Sequence, residues 1–393
     1  MVSYSRIPSQ ELFPTKGPVP PGQLIGRSEA IAALQSQLAA GSHQILAGPR
    51  RTGKTSICDA VIARLKKGGD YVVAVDLFEV GSLSNLAELI ARGAIANRPG
   101  VKKVLPVLLR SARWVGRAAQ VSATLKGEFG TEIEFAFAPS RSQKTPMQQL
   151  DYALRLLERL ATADGHQLVL YLDEFQEVET PLLRFGDPDL LTKSMRSILQ
   201  RSPHVTCLFA GSVEHMMKGL FAAEKRAFYQ FGGFFSLDPI DETAWKAGLR
   251  KAYQRDKTTI TDTALDHIIA TSEGAPRATM LLAQQAHVVA VEKGIFSIDL
   301  PEVYQGIEYA MATERQPHEA DVARIRALRT NALRVAQRVA RGEPPYGSGI
   351  DSKQVTRALD SMRTAGIVVQ ERAREWRLVD PLLGRYLSAF PAV

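Results

Sequence analysis

One stretch constrains the fold of this chain more than any other: "HQILAGPRRTGKTSICDAVIARL", residues 43–65. A short apolar run meets a helix-like run through Gly48-Pro49-Arg50-Arg51-Thr52-Gly53-Lys54-Thr55, which fits G-x-x-x-x-G-K-[ST]. Such a loop works between a strand and a helix. Its glycines let backbone N–H groups wrap phosphates, and the helix N-terminus adds a positive dipole. Lys54 is expected on the β- and γ-phosphates, Thr55 on Mg²⁺, and Ser56 beside them in the first helical turn. The nucleotide expected is ATP.

The rest of the chain supplies the sheet that this loop requires. "YVVAVDL" (71–77), "LVLYLDE" (168–174), "VTCLFAG" (205–211) and "GGFFSLDPI" (232–240) read as further strands. Helical patterns at 29–40, 54–66, 82–96, 147–163 and 187–201 fall between them. Apolar strands alternating with helices predict an α/β fold, a parallel sheet covered on both faces as an αβα sandwich. From Asp241 to about residue 312 the pattern is purely helical. After a polar break near 313–320 come a helix (about 321–341), a second helix (352–365), strands at 366–370 and 375–379, and a last helix. That order resembles a winged helix-turn-helix, with Ser352 as N-cap of its second helix.

"LVLYLDEF" ends in the acids that hydrolysis needs. Asp173 is expected to hold Mg²⁺, and Glu174 to orient or deprotonate the attacking water. "CLFAGS" ends a strand at Gly211-Ser212, beside the metal strand in a sheet of this type, so Ser212 is a candidate γ-phosphate sensor. In "EGAPRATMLL" (273–282) Arg277 follows Pro276 at a helix start, where a cation from a second domain reaches the phosphates.

Taken together, "LIGRSEAI", "GPRRTGKTS", "LYLDEF", "LFAGS" and "EGAPRATMLL" resemble the AAA+ group of P-loop ATPases. Within it the chain is most similar to the archaeal-type ATPase family, related to the signal-transduction (STAND) ATPases. The ending "SKQVTRALDSMRTAGIVVQERAREWRLVDPLLGRYL" resembles that family's C-terminal winged helix. The resemblance spans roughly residues 20–390. It implies an N-terminal arm (1–24), an ATPase core (25–240), a helical lid (241–316) and a winged-helix domain (317–393). It also implies that Ile25, Gly26 and Arg27 lie near the adenine, and that Ser212 and Arg277 occupy the two sensor positions. Where the family often carries Tyr-Gly-Arg before the fifth strand, this chain has "FYQFGGFF", and Arg226 is the nearest arginine for trans-activation.

Charge bears on partners. The chain of 393 residues carries a formal charge of +8. Residues 98–127 hold seven Lys/Arg and no acid, and residues 317–393 hold 13 Lys/Arg against 8 Asp/Glu. Lys103, Arg110, Arg113 and Arg117 share one face of a helix expected there, followed by a β-hairpin within an insertion at 98–145. For that face, contact with nucleic acid, with a partner protein or with a membrane surface competes with a plain solvated surface. In the tail, Lys353 and Arg357 on the second helix and Arg372 and Arg374 at the wing are the candidate contacts to DNA or a protein partner. Cys58 and Cys207 sit in apolar segments and read as buried thiols of a reducing compartment. No apolar run approaches the roughly 20 residues of a membrane span, and the N-terminus lacks a signal-type apolar stretch. The expectation is a cytoplasmic protein with no membrane partner, either a nucleotide-controlled switch, self-associating or acting on a protein partner, or an ATP-dependent DNA-loading or remodelling factor.

Overall fold

A computed structural model of the chain describes residues 6–98, 145–179, 186–347, 349–372 and 374–389. The expected basic helix and hairpin, with Lys103, Arg110, Arg113 and Arg117, lie outside the described residues. The chain divides into two compact units: the described residues within 1–29, 48–59 and 237–393, and those within 30–47 and 60–236.

The second unit is built on a five-stranded sheet with order β2-β3-β4-β1-β5. Its strands are β1 (Gln44–Ala47), β2 (Tyr71–Asp76), β3 (Leu168–Asp173), β4 (Val205–Gly211) and β5 (Gly233–Phe234). Every pairing is parallel. β5 is shorter than its apolar run suggests, because only two residues pair with β1 and both are exposed. All six residues of β3 and all seven of β4 are buried, so apolar side chains are needed on both faces and simple alternation disappears. Val73, Val75, Leu170, Leu172 and Phe209 point to one side. There they pack on Leu86 and Ile90 of α4 (Leu83–Ala96), Leu154 and Leu157 of α5 (Pro146–Asp164), and Met195 of α6 (Pro188–Leu199). α5 begins with a capping box on Thr145 and Gln148 and stops at Gly165 in the left-handed conformation, φ 69°. Cys207 is buried in β4 and Cys58 in α3 (Lys54–Gly68); both are free thiols.

The first unit is mostly helical. α8 (Glu242–Arg255), α9 (Asp262–Thr271), α10 (Pro276–Glu292) and α11 (Leu300–Thr313) enclose a core around Trp245, Leu249, Tyr253 and Ala283. Leu12 and Phe13 of the N-terminal arm enter that core. The arm is fixed there by a buried polar network. Ile7 N donates to Asp256 Oδ1 (2.7 Å), and His287 bonds both Asp256 (3.0 Å) and the Ser9 hydroxyl (2.8 Å). Purely helical patterning does not anticipate the parallel pair β6 (Thr259–Ile260) and β7 (Ser297–Ile298), each only two residues long.

A second core, around Val335, Leu359, Met362 and Leu387, belongs to the C-terminal part of this unit. The single helix expected near 321–341 is two, α12 (Arg315–Leu328) and α13 (Ala332–Ala340). They are separated where Arg329 turns extended, at φ −161°, ψ 155°. α14 (Ser352–Thr364) follows, then an antiparallel hairpin, β8 (Val368–Arg372) and β9 (Glu375–Leu378), and α15 (Pro381–Ser388). Asp351, not Ser352, caps α14, because its carboxylate accepts the Lys353 and Gln354 N–H groups at 3.0 and 3.2 Å. A carboxylate there also meets the positive end of the helix dipole, which a serine hydroxyl does not match. No helix among the described residues is long and apolar enough to cross a membrane.

Candidate functional site

In the first unit, the Gly48–Thr55 loop runs into the first turn of α3. Gly53 sits at φ 88°, where glycine is unstrained, and Arg51 at φ 68°, where it is not. The Thr52 hydroxyl bridges back to Pro49 O at 2.9 Å. Lys54 is buried, and its ammonium donates to Gly48 O (2.8 Å) and Pro49 O (2.6 Å). These are neutral acceptors; an anionic phosphate is a stronger partner for the same ammonium. Thr55 is exposed in the first turn of α3, while Ser56 is buried and accepts Val19 N at 2.9 Å.

A cavity of about 300 Å³ opens beside this loop. Leu24, Ile25, Ile240, Trp245 and Met280 give it an apolar wall, and Arg51, Thr52, Gly53, Ser56 and Arg277 a polar one. An apolar slot joined to a cationic loop matches a heteroaromatic base carrying a phosphate chain. Gly26 holds the wall together. It adopts φ 63°, and a Cβ there would lie 2.5 Å from Ile240 Cγ2. Arg27 is buried and donates to Asp238 O at 2.6 Å. Burial lowers its pKa, and Asp238 opposes the shift.

Arg277 lines the cavity but is engaged elsewhere. Its guanidinium makes a bidentate pair with Glu314, at 2.9 and 2.8 Å. Burial alone would lower its pKa; the bonds and charge of Glu314, with Asp380, outweigh burial and raise it.

The second unit carries the acids. Asp173 is buried at the end of β3, and its Oδ1 accepts Glu174 N at 2.9 Å. Phe175 is fully buried against Phe209, centroids 4.7 Å apart, so the chain turns inward directly after the strand. Glu174 stands at that turn with φ 48°, a conformation that is costly for a residue with a side chain. Its Oε2 accepts the Ser212 hydroxyl at 2.7 Å and also the Gln176 amide N–H. Gly211 makes room for this arrangement, since a Cβ there would lie 2.5 Å from Gln176 Oε1 and from Met217 Sδ. Asp76 pairs in register with Asp173. Its pKa is raised chiefly by burial, with Asp173, Glu79 and Glu174 adding repulsion. The hard oxygen donors and this crowding of carboxylates suit Mg²⁺, which takes one or two carboxylates plus phosphate and water. Among the described residues no group of three or more His, Cys, Asp or Glu forms a metal cage.

No protein-family model matches the chain, and no curated protein matches it. Solved structures do. A Walker-type ATPase of Pyrococcus abyssi superposes with a TM-score of 0.68 at 14% identity, covering 96% of this chain and 99% of that one. The Aeropyrum pernix ORC2 protein in its ADPNP–ADP complexes gives 0.59 at 15% identity, over 97% and 96%. Its ADP form gives 0.53 at 14%, over 97% and 99%. The chain has the fold of the AAA+ P-loop ATPases.

Within that fold, the remaining sequence candidates fall as follows. Arg226 is ion-paired with Glu179 and, at 3.2 Å, with Asp189. Lys353 and Arg357 are exposed on α14, and Arg372 and Arg374 are exposed at the turn of the β8–β9 hairpin. Pattern reading missed Gln176 and Asp76, which touch or face the acids, and the cavity walls Trp245, Ile240 and Met280. The only local sign of Gln176 is its place two residues after Glu174. Trp245 and Met280 look like ordinary core positions of helices, and Ile240 like the end of an apolar run.

Proposed function

We propose that the chain is an ATPase of the archaeal type within the AAA+/STAND group, binding ATP with Mg²⁺ and acting as a nucleotide-controlled switch. The observation that carries this reading is the cavity of about 300 Å³ joining an apolar, base-sized wall to the Gly48–Thr55 loop. Ile25 and Arg27 line the base end, while Arg51, Thr52, Gly53 and Ser56 line the phosphate end. Lys54 exchanges its loop carbonyls for phosphate oxygens. Thr55 and Asp173 are the residues that would hold Mg²⁺, which would supply charge neutralisation for the phosphates. Glu174 orients a water and accepts its proton, with Ser212 and Gln176 holding the carboxylate in place. Arg277 leaves Glu314 for phosphate and so reports nucleotide state to the helical part of its unit.

The same reading takes residues 1–24 as arm, 25–240 as ATPase core, 241–316 as lid and 317–393 as winged helix, in a cytoplasmic protein that self-associates or acts on a protein partner. Lys54→Ala is expected to abolish saturable binding of ATP by the full chain, measured by equilibrium titration with a fluorescent analogue; unchanged affinity refutes the site.

A second reading, ATP-dependent DNA loading or remodelling, draws on the exposed Lys353, Arg357, Arg372 and Arg374. It predicts DNA binding that differs between ADP and a non-hydrolysable ATP analogue and falls steeply with salt. Equal DNA affinity in both nucleotide states counts against it.

A further inference from the structure

Arg51 is unlike an ordinary surface cation. It sits inside the phosphate loop in the left-handed conformation, and its guanidinium is ion-paired with Oδ2 of Asp380, 329 residues away in sequence. Asp380 divides its oxygens. Oδ1 accepts the Leu382 and Leu383 N–H groups at 3.0 and 3.4 Å and caps α15, while Oδ2 takes Arg51. A cavity of about 470 Å³ lies beside this pair, lined by Arg50, Arg51, Arg277 and Arg377 with Glu273 and Asp380. Two of the cations at the phosphate end, Arg51 and Arg277, are therefore held by carboxylates, Asp380 at the start of α15 and Glu314 at the junction of α11 and α12.

We propose that Asp380 sets the nucleotide affinity of this site by standing in for a phosphate on Arg51. The proposal rests on the ATPase reading above. A carboxylate oxygen and a phosphate oxygen are alternative acceptors for the same guanidinium N–H, here Nη1 of Arg51, and only one can occupy it. Nucleotide must displace Asp380, so the intrinsic affinity of the loop is reduced by the strength of the internal pair, and by reciprocity bound nucleotide loosens the start of α15. His318 supports two arrangements. It is fully buried, neither ring nitrogen has a hydrogen-bond partner among the described residues, and it lies in the field of Asp380, Glu314, Asp321 and Arg51. A buried imidazole without a partner is costly.

The test is a titration of the full chain with a fluorescent ATP analogue and Mg²⁺. Asp380→Asn keeps an oxygen for the α15 cap and removes the charge. It is expected to tighten binding about threefold to tenfold. Arg51→Gln weakens binding, and adding Asp380→Asn in that background gains nothing. Unchanged or weaker binding by Asp380→Asn, or a gain that survives in the Arg51→Gln background, overturns the proposal. A measurement on the wild type guards against misfolded variants: saturating ATP should speed hydrogen exchange at the Leu382 and Leu383 amides, and no change there also overturns it. The underlying ATPase reading fails separately, through absence of Lys54-dependent ATP binding in the wild type.

Discussion

Replacing Gly26 by Ala tests how the base end of the cavity is built. Two costs are legible in the structure. Gly26 has φ 63°, and a side chain in that region costs roughly 1–2 kcal/mol. The new Cβ would lie 2.5 Å from Ile240 Cγ2 and 3.2 Å from Ala244 Cβ, and overpacking of this kind costs about 1–3 kcal/mol. The sum, roughly 2–5 kcal/mol, lowers Tm by roughly 4–20 °C for a unit of this size. Gly17 provides the control. Its φ is 74°, but a Cβ there meets nothing within 4 Å, so Gly17→Ala carries the backbone cost alone. Both melts are read by circular dichroism, and nucleotide affinity by fluorescent titration. Because Ile240 lines the cavity, Gly26→Ala also weakens nucleotide binding, whereas its stability defect exceeds that of Gly17→Ala. Equal destabilisation by the two substitutions would refute the packing argument.

Further expectations follow from the same contacts. Arg277→Met leaves Glu314, whose side chain is 5% exposed, without its partner. It should cost about 1–3 kcal/mol in denaturant unfolding, below the range for a wholly buried pair because Arg277 is itself partly exposed, and Glu314→Gln in the same chain should restore most of it. Acid should destabilise the protein. Burial lowers the pKa of His43, His287 and His318 below the ordinary 6.5, so the unfolded chain binds protons first. Their contribution is complete above that value and is lost as pH falls through it. Asp256 extends the loss to lower pH: burial would raise its pKa, but the Ile7 N–H, His287 and Arg6 outweigh burial and depress it. A melting temperature that rises between pH 7.5 and 5.5 contradicts this assignment.

The loop at 48–55 and the acids at 173–174 are legible in the sequence because each is a local pattern whose chemistry needs a strand end or a strand-to-helix turn. The apolar runs of β3 and β4 are legible for the same reason: burial on both faces leaves no polar position. Contacts between distant segments are not legible. Nothing near Arg51 points to Asp380, and nothing near Arg277 points to Glu314, because these pairs are made by tertiary packing. The division of α12 from α13 was hidden because Arg329-Thr330-Asn331 contains neither glycine nor proline. The Asp351 cap was missed because Asp351 and Ser352 are adjacent residues of equal capping preference, and only geometry selects between them.

The central proposal is that Glu174, held by Ser212 and Gln176, is the residue on which hydrolysis of the bound nucleotide depends. Its most direct test compares phosphate release by wild type and Glu174→Gln at saturating ATP and Mg²⁺, with nucleotide affinity measured on the same samples. The account predicts affinity within about threefold of wild type and phosphate release slower by at least about 100-fold. Equal rates of phosphate release from the two proteins would contradict it.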